Sequence, residues 1–178
     1  MRIALVHSQY DSSSPSGENI VVTRQAQLLR KAGHSVLVLT RGSDSYKNHA
    51  TQALFGGIAT LTGFGSSPVK PLRDFRPDIV HIHNLFPNFG TTWISSCDYP
   101  IISTIHNYRW VCANGMLFRD GKICIECPIS GQLAGLRHAC YRNSRAATLP
   151  LVVRNARGLS RNPQLAKSFS LVVLNSRM

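Results

Sequence analysis

Three groups of side chains in this 178-residue chain are of types and spacings that can do chemistry. In "VHIHN" (80–84), His81 and His83 share one face of an extended segment and Val80 and Ile82 the other. A His-x-His pair at a strand end can ligate a catalytic metal, but that needs further His and Asp ligands on later strands, and only His106 follows. His81 therefore reads as a packed or hydrogen-bonded histidine, and His83 with Asn84 as residues lining a cleft. His106 closes the apolar run in "TIHNYR", where a neutral imidazole can accept one hydrogen bond and donate another to a hydroxyl-bearing ligand. Asn107, Tyr108 and Arg109 follow on the same rim.

The second group is Cys112, Cys124, Cys127 and Cys140, spaced C-x11-C-x2-C-x12-C. Four thiolates can close a tetrahedral structural zinc site, and such a site would fix a loop of about thirty residues that is poor in aliphatic core. The outer spacings differ from those of a zinc ribbon, so three readings stand side by side: zinc, reduced buried thiols, or disulfides. The third group is the loop "SQYDSSSPSGE" (8–18), which carries Gly17 to the start of a helix. There, backbone N–H groups and the positive helix end can approach a phosphate, or the glycine serves only as turn and N-cap. "GFGSSP" (63–68) is no dinucleotide fingerprint, since it lacks the third glycine and follows no clear strand.

These residues need elements to position them. "RIALVH" (2–7), "SVLVLT" (35–40), "DIVHIH" (78–83), "PIISTIH" (100–106) and "SLVVLNS" (170–176) are short apolar runs, the pattern of parallel strands covered on both faces. Residues 18–32 are helical, with Val21, Val22, Leu28, Leu29 and Ala32 on the apolar stripe, Gln25 as its one polar intruder, and Gly33 as the stop. Short helices are expected over 67–75 and 89–97, and 145–159 reads as a helix kinked or split by Pro150. Residues 41–66 read as loop with at most a short strand or helix. The fold class is α/β: a doubly wound, mostly parallel sheet in which ligands sit outside the carboxyl ends of the strands. That rule singles out His7 to Gly17, Arg41, His83 to Pro87, His106 to Arg109, and Asn175.

The formal charge of +12 points to an anionic partner: a phosphorylated ligand, nucleic acid or an anionic membrane. No acidic residue follows Glu126, while Arg137, Arg142, Arg145, Arg154, Arg157, Arg161, Lys167 and Arg177 do. A nucleic-acid module should interleave basic residues with exposed aromatics, and residues 137–178 hold only Tyr141 and Phe169, so nucleic acid is not expected. The opening "MRIALVHSQYD" has too short an apolar run for a signal peptide, which places the chain in the cytosol.

The order "KAGHSVLVLT", "RPDIVHIHN", "STIHNYRWVCANG", "RDGKICIEC", "CYRNSR" resembles the N-terminal domain of family 4 glycosyltransferases of the GT-B type. The block from Asp78 to Arg145 is the most specific part, and the cysteine-bearing insertion, about 109–142, occurs in a subset of these bacterial enzymes. The resemblance implies one Rossmann-like domain over 1–178, half of a two-domain enzyme. A C-terminal domain, absent here, would hold most of the nucleotide-sugar donor, and this half the glycan or lipid-linked acceptor. It further implies that Gly17 and Glu18 approach the donor diphosphate and His106 the donor sugar or reaction centre. The chain has "PSGE" where the family usually has adjacent glycines, and Asn107 where it usually has Asp. Alone, the chain is expected to be inactive, and its basic stretch makes an anionic membrane surface a candidate partner, with a peripheral position on the inner face. The rival readings are a zinc-stabilised nucleic-acid-binding module and a self-contained nucleotide-sugar-binding domain.

Overall fold

The structure is a computed structural model that describes residues 1–9, 16–46, 48–158 and 171–174. Five parallel strands form the sheet in the order β2-β1-β3-β4-β7: β1 Arg2–Gln9, β2 Ser35–Gly42, β3 Ile79–Asn84, β4 Ile101–Ile105 and β7 Leu171–Leu174. This is one of the two common doubly wound orders, and its connection reverses direction between β1 and β3, where ligand crevices form. Asn175 lies outside the described residues, as does most of the loop after β1.

Alternation along the strands divides the core into two layers. Ile3, Leu5, Val36, Val38 and Ile79 meet Val22, Ala26 and Leu29 of α1 (Gly17–Lys31) on one face. On the other, Ala4, Val6, Val80 and Ile82 meet Leu72 of α3 (Val69–Phe75) together with Phe89, Trp93 and Ile94. The stripe of α1 is rotated from the one read in sequence: Val22 and Ala26 are buried, whereas Val21 and Leu28 are exposed. The polar intruder Gln25 thus faces the sheet with them, because it has histidines to meet there.

Three other expectations are corrected. Residues 49–62, read as loop, form a 14-residue helix, α2 (His49–Thr62). Asn48 opens it with a capping box to Thr51, and Gly63, at φ 78°, closes it. Its apolar residues escape a period-based reading because Leu54, Phe55 and Ile58 stay exposed beside a face packed on the helix Arg145–Arg157. The helix expected over 89–97 is only a 3₁₀ turn, Thr92–Ser96, and α6 (Arg145–Arg157) runs unbroken through Pro150. Gly90 is needed where the chain passes α2's end: a Cβ there would stand 2.5 Å from the Gly63 carbonyl oxygen.

Between β4 and α6 lies the cysteine-bearing segment expected from the sequence as an insertion. It holds a hairpin of β5 (Phe118–Arg119) and β6 (Lys122–Ile123), then two single-turn helices, α4 (Glu126–Ser130) and α5 (Leu133–Arg137). Asp120 and Gly121, both at positive φ, make the hairpin turn. The insertion joins the body through Ala113, Leu151 and Val152, with Phe86, Leu136 and Tyr141 packed around them.

Candidate functional site

The α1 face of the sheet changes from apolar to polar towards the carboxyl ends of the strands: Ile3 and Leu5 lead to His7, and Ile79 leads to His81 and His83. Because α1 runs back against the strands, its N-terminal half meets these histidines. The β1–β3 register shifts between Val6 and His7, which pairs with Asn84, so His83 is the extra residue of a bulge. The rings of His81 and His83 stack at 4.2 Å between centroids, and His83 stacks on His106 at 5.2 Å.

A chain of hydrogen bonds runs through them. Thr104 Oγ1 and His81 Nε2 are 2.8 Å apart, His81 Nδ1 and Gln25 Nε2 3.1 Å, Gln25 Oε1 and His83 Nε2 2.7 Å, and His83 Nδ1 and His106 Nε2 2.9 Å. The Gln25 amide sets every proton in this relay. Its carbonyl can only accept, so His83 carries its proton on Nε2 and offers Nδ1 as acceptor. His106 must then donate from Nε2, which makes Nδ1 the acceptor nitrogen of that ring. On the other side the Gln25 NH₂ donates to His81 Nδ1, and His81 donates from Nε2 to Thr104. With all four nitrogens engaged by the protein, His81 and His83 are not arranged as metal ligands.

Burial keeps the relay uncharged. It pushes His81 down to about 4 and, with the neighbouring histidines adding to it, His83 down to about 3. His106 is lowered for the same reason, with Glu18 opposing. His7, fully buried, is lowered by burial too, against the bond between its Nε2 and Asn19 Oδ1 at 2.8 Å.

Glu18, in the first turn of α1, clamps the ends of β3 and β4. Its carboxylate accepts from Asn84 Nδ2 at 3.0 Å and from Asn107 Nδ2 at 2.8 Å. Each asparagine in turn accepts, through Oδ1, from the backbone N–H two residues on, Phe86 and Arg109 respectively. The clamp gives a physical reason for asparagine at 107: an aspartate would face Glu18 with a second carboxylate, whereas the amide donates to it. Gly17 is the first helical residue rather than the N-cap, which is Ser16, and a Cβ there would meet nothing within 4 Å among the described residues. No turn in the described backbone calls for glycine at 17.

His83, Asn84, His106, Asn107 and Arg109 line one cavity of about 300 Å³, which extends past Phe86 and Trp110 to Arg154, Asn155 and Arg157. Tyr108, expected on the same rim, is not among its lining residues; its backbone joins the insertion, donating to Gly115 and accepting from Val111 and Cys112. Sequence reading missed Gln25, Thr104 and Asn155. For Gln25 a signal existed, a polar side chain inside a buried helical stripe. A further buried knot was also missed: Asn88 Nδ2 donates to the Gln9 and Arg41 carbonyls and to Ser8 Oγ, fixing the loop that carries Leu85 and Phe86 into the cavity.

In the insertion, Cys112, Cys124, Cys127 and Cys140 gather within electrostatic reach of one another. The Cys127 thiol is raised first by burial and then by Cys112, Cys140 and Cys124, and the Cys140 thiol by burial against a hydrogen bond from Arg119. All five cysteines are free thiols, and no three His, Cys, Asp or Glu among the described residues form a group that could hold a metal ion. No disulfide joins the cysteines in this structure, and the four thiols of this segment lie near one another. Arg119 braces the segment, at 2.7 Å from Glu126 and 3.1 Å from Asp120, and Glu126 also meets His138 Nε2 at 3.2 Å. No helix among the described residues is long and apolar enough to cross a membrane.

Neither a curated protein nor a solved structure matches the chain. The family model of Glycosyltransferase Family 4 matches residues 15–119, more than half of the chain, from the loop before α1 through the relay and the Glu18 clamp into the hairpin. On that match, and on the doubly wound sheet that positions the site, the chain belongs to glycosyltransferase family 4.

Proposed function

We propose that this chain is the acceptor-side domain of a glycosyltransferase that moves a sugar from a nucleotide-sugar donor to a glycan or lipid-linked acceptor. The observation that carries the reading is the cavity's rim: His83, Asn84, His106 and Asn107, neutral hydrogen-bonding groups, line it, and no carboxylate does so among the described residues. Such groups suit the hydroxyls of a sugar, which both donate and accept hydrogen bonds. Glu18 has its place in this scheme as the clamp that sets the rim, and the exposed start of α1 at Gly17 offers backbone N–H groups to the donor diphosphate.

Charge stabilisation of the leaving diphosphate belongs to a partner domain in this scheme, so the 178-residue chain alone binds donor weakly and does not turn over. The test is an amide NMR titration with nucleotide sugars. Shifts at Gly17, Glu18 and His106 with a dissociation constant on the order of millimolar are expected. Shifts confined elsewhere, none at all, or glycosyl transfer by this chain alone would overturn the reading.

Two further parts of the proposal concern the surroundings. A structural zinc on the four gathered thiols would require the insertion to close around it; what supports it is their convergence in a segment with little other core. A peripheral position on an anionic membrane is supported by the exposed Leu54, Phe55 and Ile58 of α2, which packs against α6, and by the exposed Arg137, Arg142 and Arg145 nearby in the chain.

A further inference from the structure

The cavity has two chemically different ends. At one, neutral histidines and asparagines from the strand ends meet; at the other, α6 and the start of the insertion bring three arginines and a tryptophan. Between them the floor is apolar, with Ile82, Leu85, Phe89 and Ile105. Among the described residues no Asp or Glu lines any part of it.

The arginine end is a built arrangement. The Arg154 guanidinium lies 5.3 Å from the Trp110 ring centroid, and Arg154 donates to the Arg109 carbonyl at 2.5 Å and to Asn155 Oδ1 at 2.9 Å. Arg157 donates to the Leu61 carbonyl at 2.9 Å, across the mouth, and no salt bridge among the described residues involves Arg109 or Arg157. Asn155 is 8% exposed on the cavity wall, and its buried Nδ2 has no hydrogen-bond partner. A buried amide donor left unmatched costs stability, and among the described residues no carboxylate in the lining offsets the charges of Arg109 and Arg157, so both features call for a ligand that accepts hydrogen bonds and carries negative charge.

We infer that this end is a phosphate subsite, and that the acceptor is a phosphorylated saccharide whose phosphate ester lies against Arg154, Asn155 and Arg157 while its hydroxyl reaches the His106 end. This rests on the acceptor-side reading above and deepens it. The donor's diphosphate is the other source of a phosphate group there. The acceptor is favoured because α6 lines the cavity, whereas the start of α1, with Gly17 and Glu18, does not.

The experiment follows the Trp110 indole and Asn155 side-chain amide signals of the 178-residue chain at low salt. It compares glucose 1-phosphate, neutral methyl glucoside and UDP as probes. Glucose 1-phosphate should shift both signals at least about tenfold more tightly than methyl glucoside, the worth of one charge-assisted contact. Arg157→Gln, at an exposed position, should weaken only the phosphorylated probe, by about tenfold, and Asn155→Asp should abolish its binding. Equal affinity for the charged and neutral sugars, or an Arg157→Gln effect of the same size on both, overturns the subsite. UDP binding here more tightly than the sugar phosphate overturns its assignment to the acceptor. Nucleotide-sugar shifts at Gly17, Glu18 and His106 report separately, so losing the subsite leaves the transferase reading intact, and losing those shifts condemns that reading.

Discussion

The carboxyl ends of β1, β3 and β4 and the insertion that follows them both hold clusters of polar side chains, but by different physics. At the strand ends the sheet's alternation and the packing of α1 place His7, His81 and His83, and each ring is hydrogen-bonded within the core. In the insertion the shape comes from local backbone: of the six non-glycine residues at positive φ among the described residues, five lie between Leu117 and Asn143. The partly exposed contacts Arg119–Glu126 and His138–Glu126 brace it. A site made by register shares the stability of the whole fold, whereas a site made by turns and surface ion pairs can open by itself.

Acid should break this contrast most strongly. Histidines held neutral have folded-state pKa values below the ordinary 6.5, so the unfolded chain binds more protons as pH falls. Stability is therefore fully present above about pH 6.5 and declines towards the folded values of about 4 for His81 and about 3 for His83, with His7 and His106 adding in the same direction. Urea unfolding at pH 7.5 and pH 5 should differ by about 4 kcal/mol, and replacing both His81 and His83 by Gln should remove most of that dependence.

Gln25→Leu comes next, with a loss of about 2 kcal/mol, because it strands His81 Nδ1 and His83 Nε2 without partners. The variant should also release the His106 proton from Nε2, which ¹⁵N ring shifts report; an unchanged tautomer would refute the relay. Asn107→Asp should cost about 1 kcal/mol at neutral pH by setting a carboxylate against Glu18, and Glu18→Gln should recover part of it.

The insertion should respond locally. Arg119→Gln should speed hydrogen exchange over residues 118–140 while changing global unfolding by less than about 1 kcal/mol. If zinc sits on the thiols, purified protein carries near one metal per chain and chelation loosens the same segment while the sheet stays folded; no metal, with all thiols titrating freely in the folded protein, removes zinc. Membrane attachment is expected to draw about 1 kcal/mol from each basic residue at the surface. Vesicle co-sedimentation should require anionic lipid and weaken in salt, and binding indifferent to both would remove the membrane.

Sequence alone determined the strands, α1 and the residues just beyond the strand ends. Buried parallel strands are near-continuous apolar runs, and alternation puts His81 and His83 on one face whatever surrounds them. The cysteine spacing likewise marked the insertion, whose hairpin went unread although "DG" at 120–121 signals such a turn. The sequence left α2 unread, although Asn48 with Thr51 and Gly63 carried its capping signals, because a helix apolar on both its packed and exposed sides shows no contrast for periodicity to detect. Only the tertiary structure decided which helical face met the sheet, and so turned Gln25 from an intruder into the residue that sets each histidine's proton. It also brought Arg154, Asn155 and Arg157 to the cavity that His106 lines, from positions some fifty residues further along the chain. Contacts between residues that far apart depend on how layers pack, and periodicity within one element carries no record of them.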